Sequence, residues 1–302
     1  MNELVVISGK GGTGKTSVVA SFAALAENKV LADCDVDAAD LHLVLSPKIV
    51  RREKFSGGKS ASIAADKCIG CGKCASVCRF DAISFDGPAN DVVGKTYRID
   101  PIACEGCGVC AYFCPVDAVV FSPSINGEWF VSETRHGPMV HAKLGIAEEN
   151  SGKLVTTIRR EANRIAEENG LGLVIIDGSP GIGCPVRASI TGASMVLIVT
   201  EPTLSGLHDL DRVADLTSHF KIPTAVCVNK SDINPDMTAR IREHCLNRNI
   251  DMLGEIHYDT AVTRAQIEKK SAVEYDNSIA AQDIRSLWDA VDARLNDSQT
   301  KG

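Results

Sequence analysis

Short runs of consecutive apolar residues recur along the chain at Leu4–Ser8, Lys29–Cys34, Leu173–Ile176, Met195–Thr200 and Thr224–Val228. Unbroken Val/Ile/Leu runs of this kind predict strands buried on both faces, as in a parallel sheet, rather than the alternation of a sheet with one wet face. Between them Thr16–Ala26 reads as an Ala-rich helix, and Val155–Asn169 and Thr238–Arg248 as further helices. Strands alternating with helices predict an α/β fold, a mostly parallel sheet flanked by helices. Two stretches fit less simply. Residues 125–150, containing GEWFVSETRHGPMVHAKL, suggest a β-hairpin turning at Gly137-Pro138. Ile284–Leu295 has amphipathic spacing, but its charges are mixed and mostly acidic, which predicts a packing helix rather than a membrane anchor.

The first apolar run leads straight into GKGGTGKT, residues 9–16. Gly9-x-x-x-x-Gly14-Lys15-Thr16 is a complete P-loop, with the strand before and the helix after that confirm such a motif. Backbone N–H groups along Gly9, Lys10, Gly11, Gly12, Thr13 and Gly14 can turn toward a polyphosphate, and Ser17 completes the segment. Lys15 would reach the β/γ-phosphates, the Thr16 hydroxyl would bind Mg²⁺, and the helix N-terminus adds its dipole to the same anion. A bare glycine-rich hairpin would not need that flanking context. Lys10, a second lysine so early in the loop, has no role in this simple picture.

Composition changes the picture at one point. The 302 residues allow one large domain or two smaller ones, and 44% hydrophobic with 24% charged residues is ordinary for a soluble chain. A net charge of −7 argues against nucleic acid as a partner. No apolar run approaches the ~18 residues of a membrane span, so no stable membrane insertion is expected. The sequence enters a strand at once without a charged-then-apolar stretch, so no signal peptide is expected and the expected location is cytoplasmic. Twelve cysteines in such a chain should then be thiolate ligands rather than disulfides.

Eight of them form two runs. Cys68, Cys71, Cys74 and Cys78 are spaced C-x₂-C-x₂-C-x₃-C, and Cys104, Cys107, Cys110 and Cys114 repeat that spacing 36 residues later, before Pro115. The flanks repeat too, CIGCGKCASVCRFDAISF against CEGCGVCAYFCPVDAVVF, so the segment is an internal duplication. Three cysteines of a run wrap one cubane and the fourth ligates the other cluster. One [4Fe–4S] centre is thus expected on Cys68, Cys71, Cys74 and Cys114, the second on Cys104, Cys107, Cys110 and Cys78. Zinc, which prefers two separated pairs, has no use for the fourth cysteine's offset. Residues 64–122 resemble the bacterial two-cluster ferredoxins, an α+β fold. Arg79 stands after Cys78 where that family has proline, which predicts a more positive setting for the second centre. The expected organisation is a discontinuous P-loop domain, 1–52 and 124–302, an inserted ferredoxin domain, 64–122, and a linker, 53–63, read from the polar, Gly/Ser-rich RREKFSGGKSAS.

GKGGTGKT, DCDVDAADLHLVL (33–45), DGSPG (177–181) and TEPTLSGLHDL (200–210) together resemble the MinD/ParA deviant Walker A ATPases. The resemblance covers nearly the whole chain and is to the MinD-like branch with an inserted ferredoxin domain. It implies ATP and Mg²⁺ as ligands, a homodimer formed on ATP binding, and slow, partner-stimulated hydrolysis. Lys10 would reach the partner's phosphates in trans, Lys15 hold the phosphates in cis, and Asp35 orient the attacking water, with Asp33 and Asp37 as alternates. Asp177 takes the Walker B position toward Mg²⁺, Gly181 lets the following switch move, and Asn229 contacts adenine. VNKSD (228–232) also resembles the guanine clamp of GTPases, in which Asp232 would read the base; the family context favours ATP. His257 replaces proline in the stretch Ile256-His257-Tyr258-Asp259 that follows the family's adenine segment.

Cys34 and Cys227 sit in apolar runs as small hydrophobes, and Cys245 carries no signal. Cys184 lies seven residues after Asp177, the offset at which the nitrogenase iron protein places a cluster cysteine, and is a candidate extra metal ligand or redox thiol. The leading functional expectation is an ATP-driven dimeric switch coupled to an iron–sulfur electron-transfer module that serves an unidentified redox partner. The alternative is an ATP-dependent iron–sulfur or metallocofactor assembly or carrier protein. A positioning protein of the MinD type lacks support, because no basic targeting helix is visible at the C-terminus.

Overall fold

A computed structural model of the protein describes residues 1–145 and 152–299, so residues 146–150 of the stretch read as a hairpin lie outside the described residues. The chain starts with β1 (Asn2–Ile7), α1 (Lys15–Leu25), β2 (Lys29–Asp33), a 3₁₀ turn at Val36–Ala38, α2 (Leu41–Leu45) and β3 (Lys48–Phe55). Next come β4 (Gly58–Ile63), α3 (Lys73–Ser76), β5 (Ile83–Gly87), β6 (Thr96–Ile99), α4 (Val109–Tyr112) and β7 (Val119–Ser124). The return runs through β8 (Gly127–Thr134), β9 (Gly137–Leu144), α5 (Gly152–Asn169), β10 (Leu173–Asp177), α6 (Cys184–Ile190) and β11 (Met195–Thr200). It finishes with α7 (Leu204–His219), β12 (Thr224–Asn229), α8 (Pro235–Asn247), β13 (Asp251–Ile256), α9 (Thr260–Ile267), α10 (Ala272–Tyr275) and α11 (Ile279–Gln299). Two compact units result: Met1–Glu53, Glu128–Leu144 and α5 to α11 form one, and Lys54–Gly127 the other.

In the larger unit the sheet order is β13-β12-β11-β1-β10-β2-β9-β8-β3. Every neighbouring pair from β13 to β9 is parallel, as the continuous apolar runs require, since helices cover both faces. Register does the functional work. Val6 pairs with Asp177 and Asp177 with Asp33, so two carboxylates stand side by side at the carboxyl ends of the strands, next to the loop that leaves β1. That edge is where open α/β sheets bind ligands. The Ile284–Leu295 stretch lies within α11 and is a packing helix: Ile284, Leu287, Val291 and Leu295 are buried, and Trp288 meets Phe22 of α1 at 5.0 Å.

Two expectations need correction. The polar segment read as a linker is the end of β3 followed by β4, which pairs with β7 along its length, from Gly58 opposite Ser124 to Ile63 opposite Val119. β3 lies at the edge of the large sheet, where exposed charge discourages further pairing, so its composition resembles a linker's. The hairpin turns at Arg135-His136, not at Gly137-Pro138; Gly137, with φ 109°, opens β9, and Pro138 lies within that strand.

The hairpin buries His141, whose Nε2 lies 2.9 Å from Ser132 Oγ, beside Phe130 and stacked on His42 of α2. Burial, helped by His42, pushes its imidazole down to about 4. The folded state therefore binds fewer protons than the unfolded chain below about pH 6.5, and this contribution to stability is lost as pH falls from there to about 4. Urea unfolding across that window should show the wild type losing up to about 1.4 kcal/mol per pH unit more than His141→Gln. Parallel pH profiles would remove the assignment.

In the smaller unit the duplication is visible in the backbone. Gly70 and Gly106 have φ of 67° and 61°, Gly72 and Gly108 of 74° and 83°, and Asp81 and Asp117 both of 49°. The equivalence is not complete. A Cβ on Gly106 would stand 2.0 Å from the Lys59 carbonyl oxygen, while one on Gly70 would meet nothing nearer than 3.4 Å. Gly106→Ala should therefore destabilise the unit by about 1–3 kcal/mol more than Gly70→Ala. Paired denaturant titrations measure the difference.

Candidate functional site

The loop after β1 curls through positive φ at Gly12 (82°) and Gly14 (88°) and leads into α1. Asn229, at the end of β12, braces it: Nδ2 donates to the Thr13 carbonyl at 2.8 Å, and a Cβ on Gly14 would lie 2.2 Å from that nitrogen. Below the loop lies a cleft of about 310 Å³, lined by Gly11 to Ser17, by Asp35 and Asn229, and by His257, Tyr258 and Asp259. Ser17 Oγ accepts from Gln266 Nε2 of α9 at 2.9 Å.

At the base of the cleft Lys15, only 5% exposed, is paired with Asp177 Oδ1 and lies 3.1 Å from Asp35 Oδ2. Asp33 is buried beside them. Burial alone would lower the Lys15 ammonium, but Asp177, Asp35 and Asp33 outweigh it and hold the lysine protonated. Burial and the Asp177 charge push Asp33 well above the usual carboxylate range, and burial pushes Asp35 up too. One ammonium thus faces three carboxylates. Asp33 Oδ2, Asp35 Oδ1, Asp177 Oδ2 and Thr13 Oγ1 are buried without a hydrogen-bond partner. Unsatisfied hard oxygens in an excess of negative charge fit a divalent cation such as Mg²⁺. Among the described residues no three His, Cys, Asp or Glu side chains stand so as to hold a single metal ion by themselves. Mg²⁺ takes one or two carboxylates and completes its shell with water and phosphate oxygens.

The structure thus brings Lys15, Thr16, Ser17, Asp35, Asp177 and Asn229 together, and leaves three expected residues apart. Lys10 has a side chain 40% exposed and reaches Ser205 Oγ at 3.3 Å and Glu201 at 3.9 Å, not the Lys15 cluster. Asp37 does not share Asp35's direction: the 3₁₀ turn begins at Val36, and Asp37 is exposed. Asp232 Oδ1 accepts the Tyr258 N–H at 2.6 Å, and Asp232 is not among the cleft residues. Sequence reasoning missed Gln266 on α9, and also Glu201, which pairs with Lys230. Ser17, which Gln266 reaches, and Lys10, which Glu201 also approaches, lie far off in the chain, so only the fold reveals these contacts. His257, where the family has proline, lines the cleft with its Nδ1 2.7 Å from Asp283.

In the smaller unit two cavities each hold four cysteines. One is lined by Cys68, Cys71, Cys74 and Cys114, the other by Cys104, Cys107, Cys110 and Cys78. Each takes three thiols from one run and one from the other, the crossing that the spacing predicts. Thiols standing around a void, rather than converging on a point, fit a cubane. Arg79 is exposed and does not line the second cavity, so the positive setting expected there is absent from its wall. Of the remaining cysteines Cys34, Cys227 and Cys245 are buried, and Cys184 is exposed at the start of α6.

The family described as 4Fe-4S dicluster domain matches residues 67–118. The MinD cell division protein of Aquifex aeolicus superposes with a TM-score of 0.56 at 16% identity, over 97% of both chains. The septum site-determining protein MinD of Pyrococcus horikoshii, complexed with Mg-ADP, does so with 0.57 at 16% identity over 98% of both. The protein is therefore a P-loop protein of the MinD/ParA fold into which a 4Fe–4S dicluster ferredoxin domain is inserted. Within that class the chain belongs to the same family as Uncharacterized protein MJ0578 of Methanocaldococcus jannaschii. The two are 36% identical over 242 residues, 77% of this chain and 79% of that one. Among the described residues no helix is long and apolar enough to cross a membrane.

Proposed function

We propose that the protein is an ATP-binding and ATP-hydrolysing dimeric switch whose nucleotide state governs an iron–sulfur electron-transfer module. The observation that carries the reading is the joint presence of a Lys15–carboxylate P-loop cleft and two crossed four-cysteine cavities in one chain. In the cleft the loop N–H groups and Lys15 bind the phosphates, and Thr16 and Asp177 would hold Mg²⁺, which neutralises charge on the transferring phosphoryl group when bound. Asp35 orients water, and Asn229 keeps the loop curled beside the base. Lys10 lies outside the cleft of its own chain, as a lysine acting across a dimer would. The cysteines would hold two clusters that accept and pass single electrons.

The chain's own connections support coupling. The insertion leaves the large sheet through β3, soon after Asp35, and returns through β8. The turn from β8 to β9, itself part of the larger unit, is held there: Arg135 donates to both Glu274 oxygens at 2.7 and 2.8 Å, to the Val44 carbonyl of α2 and to the Lys269 carbonyl, both at 3.1 Å, so the returning strand is fixed within the unit that carries the cleft. A non-hydrolysable ATP analogue is expected to shift at least one cluster's reduction potential relative to ADP in anaerobic titration. Lys10→Ala should bind ATP yet lose the dimer and the shift, while Asp35→Asn should hold both with ATP itself. Linkage requires that cluster reduction alter ATP affinity by the same factor. Identical potentials under both nucleotides would reject the switch. The second reading, an ATP-dependent metallocofactor carrier, rests on the exposed Cys184 and would lead if cluster content fell during turnover with an apo acceptor.

A further inference from the structure

The duplication sets up an internal comparison. Residues 36 positions apart occupy equivalent places on matching backbone, so the two cysteine cavities differ chiefly in the side chains around them. Three differences bear on charge. At the cavity of Cys68, Cys71, Cys74 and Cys114 the first run places Ile69 and Lys73; at the other the second run places Glu105 and Val109. Lys73 and Glu105 are the charged residues on the two walls, one at each. The third difference lies over the glycines. A Cβ on Gly72 would lie 2.9 Å from the Tyr97 hydroxyl oxygen, whereas one on Gly108 would lie 4.0 Å from the Cζ of Phe121. One wall therefore includes a lysine and has a tyrosine hydroxyl over its glycine, where the other includes a glutamate and a bare ring edge.

Cluster potentials follow local net charge, hydrogen bonds to sulfur and solvent exposure. Reduction adds one negative charge, which a nearby cation favours and a nearby anion opposes. We infer that the two centres are electronically unequal, and that a single electron in the module resides on the centre of Cys68, Cys71, Cys74 and Cys114. The inference rests on the cluster reading above and adds a direction to it. Passing an electron from the Cys104, Cys107, Cys110 and Cys78 centre to the other oxidises the first by one electron and reduces the second by one, with no bond made or broken. Lys73 and Glu105 are both exposed, so water trims their effect without reversing its sign.

The test is a mediated dithionite titration of the anaerobically reconstituted full chain, followed by EPR, with iron and sulfide quantified. The wild type should show two one-electron waves whose equilibrium constants differ at least tenfold, about 59 mV for a one-electron couple. Lys73→Gln should lower the upper wave alone, and Lys73→Arg should leave it in place. Glu105→Gln should raise the lower wave alone, and Tyr97→Phe should lower the upper one slightly. A single two-electron wave in the wild type, or a Lys73→Gln shift in the lower wave, overturns the inference while leaving the cluster reading intact. Absence of [4Fe–4S]⁺ signals, with zinc or no metal bound instead, overturns both.

Discussion

Lys15→Ala is expected to lose tight ATP binding and, less obviously, to fold less stably without nucleotide. Among the described residues Lys15 is the one cation paired with the buried trio of Asp33, Asp35 and Asp177: it bonds to Asp177 and lies 3.1 Å from Asp35. Removing one partner from a buried charge pair costs about 3–5 kcal/mol, because the other is left uncompensated. Against a total stability of about 5–15 kcal/mol that is a large fraction. The carboxylates can relieve part of the strain by binding protons, which Asp33 and Asp35 are already disposed to do. Mg-ATP binding should fall at least about 100-fold, the scale of losing a preorganised donor on developing phosphate charge. Lys15→Arg retains the charge but brings a larger, planar group to a buried position, so it should fold better than the alanine variant and still bind ATP poorly. Calorimetric titration with Mg-ATP and urea unfolding without it give the two readouts. Unchanged affinity in Lys15→Ala would take Lys15 out of the phosphate site.

The same trio shows what the sequence makes legible. β1, β2, β10, β11 and β12 are continuous apolar runs, because a parallel sheet buried on both faces leaves no room for polar alternation, and all five are readable within a residue or two. β3 and β13 are not: one is a charged edge strand and the other, DMLGEI, is only partly buried, so neither carries the pattern. The P-loop and the cysteine runs are local motifs, in which the chemistry fixes the spacing, and the structure places their residues together. Asp33, Asp35 and Asp37 look equivalent as a string; a three-residue 3₁₀ turn separates the third from the others, and nothing in the string announces it. Gln266 meets Ser17, Glu201 meets Lys10 and Arg135 meets the Val44 carbonyl of α2, all partners distant in the chain, and these contacts exist only once the sheet has formed.

Cys78→Ser is expected to empty the cavity of the other run. Cys78 belongs by sequence with Cys68, Cys71 and Cys74, yet it lines the cavity of Cys104, Cys107 and Cys110. Serine is a poor ligand for cluster iron compared with a thiolate, so the cubane held by the second run should be lost or become labile. Iron should fall from about eight to about four atoms per chain, with the surviving centre on Cys68, Cys71, Cys74 and Cys114. Cys114→Ser should produce the mirror outcome and leave the centre on the second run. The two variants would then carry single, different clusters, and their potentials can be read without spin coupling between centres. Because Lys73 lines the cavity that survives in Cys78→Ser and Glu105 the one that survives in Cys114→Ser, the first variant should be the easier to reduce. Loss of the Cys68 centre in Cys78→Ser, seen as retention of the lower-potential cluster, would mean that each run closes its own site and that the crossing is wrong.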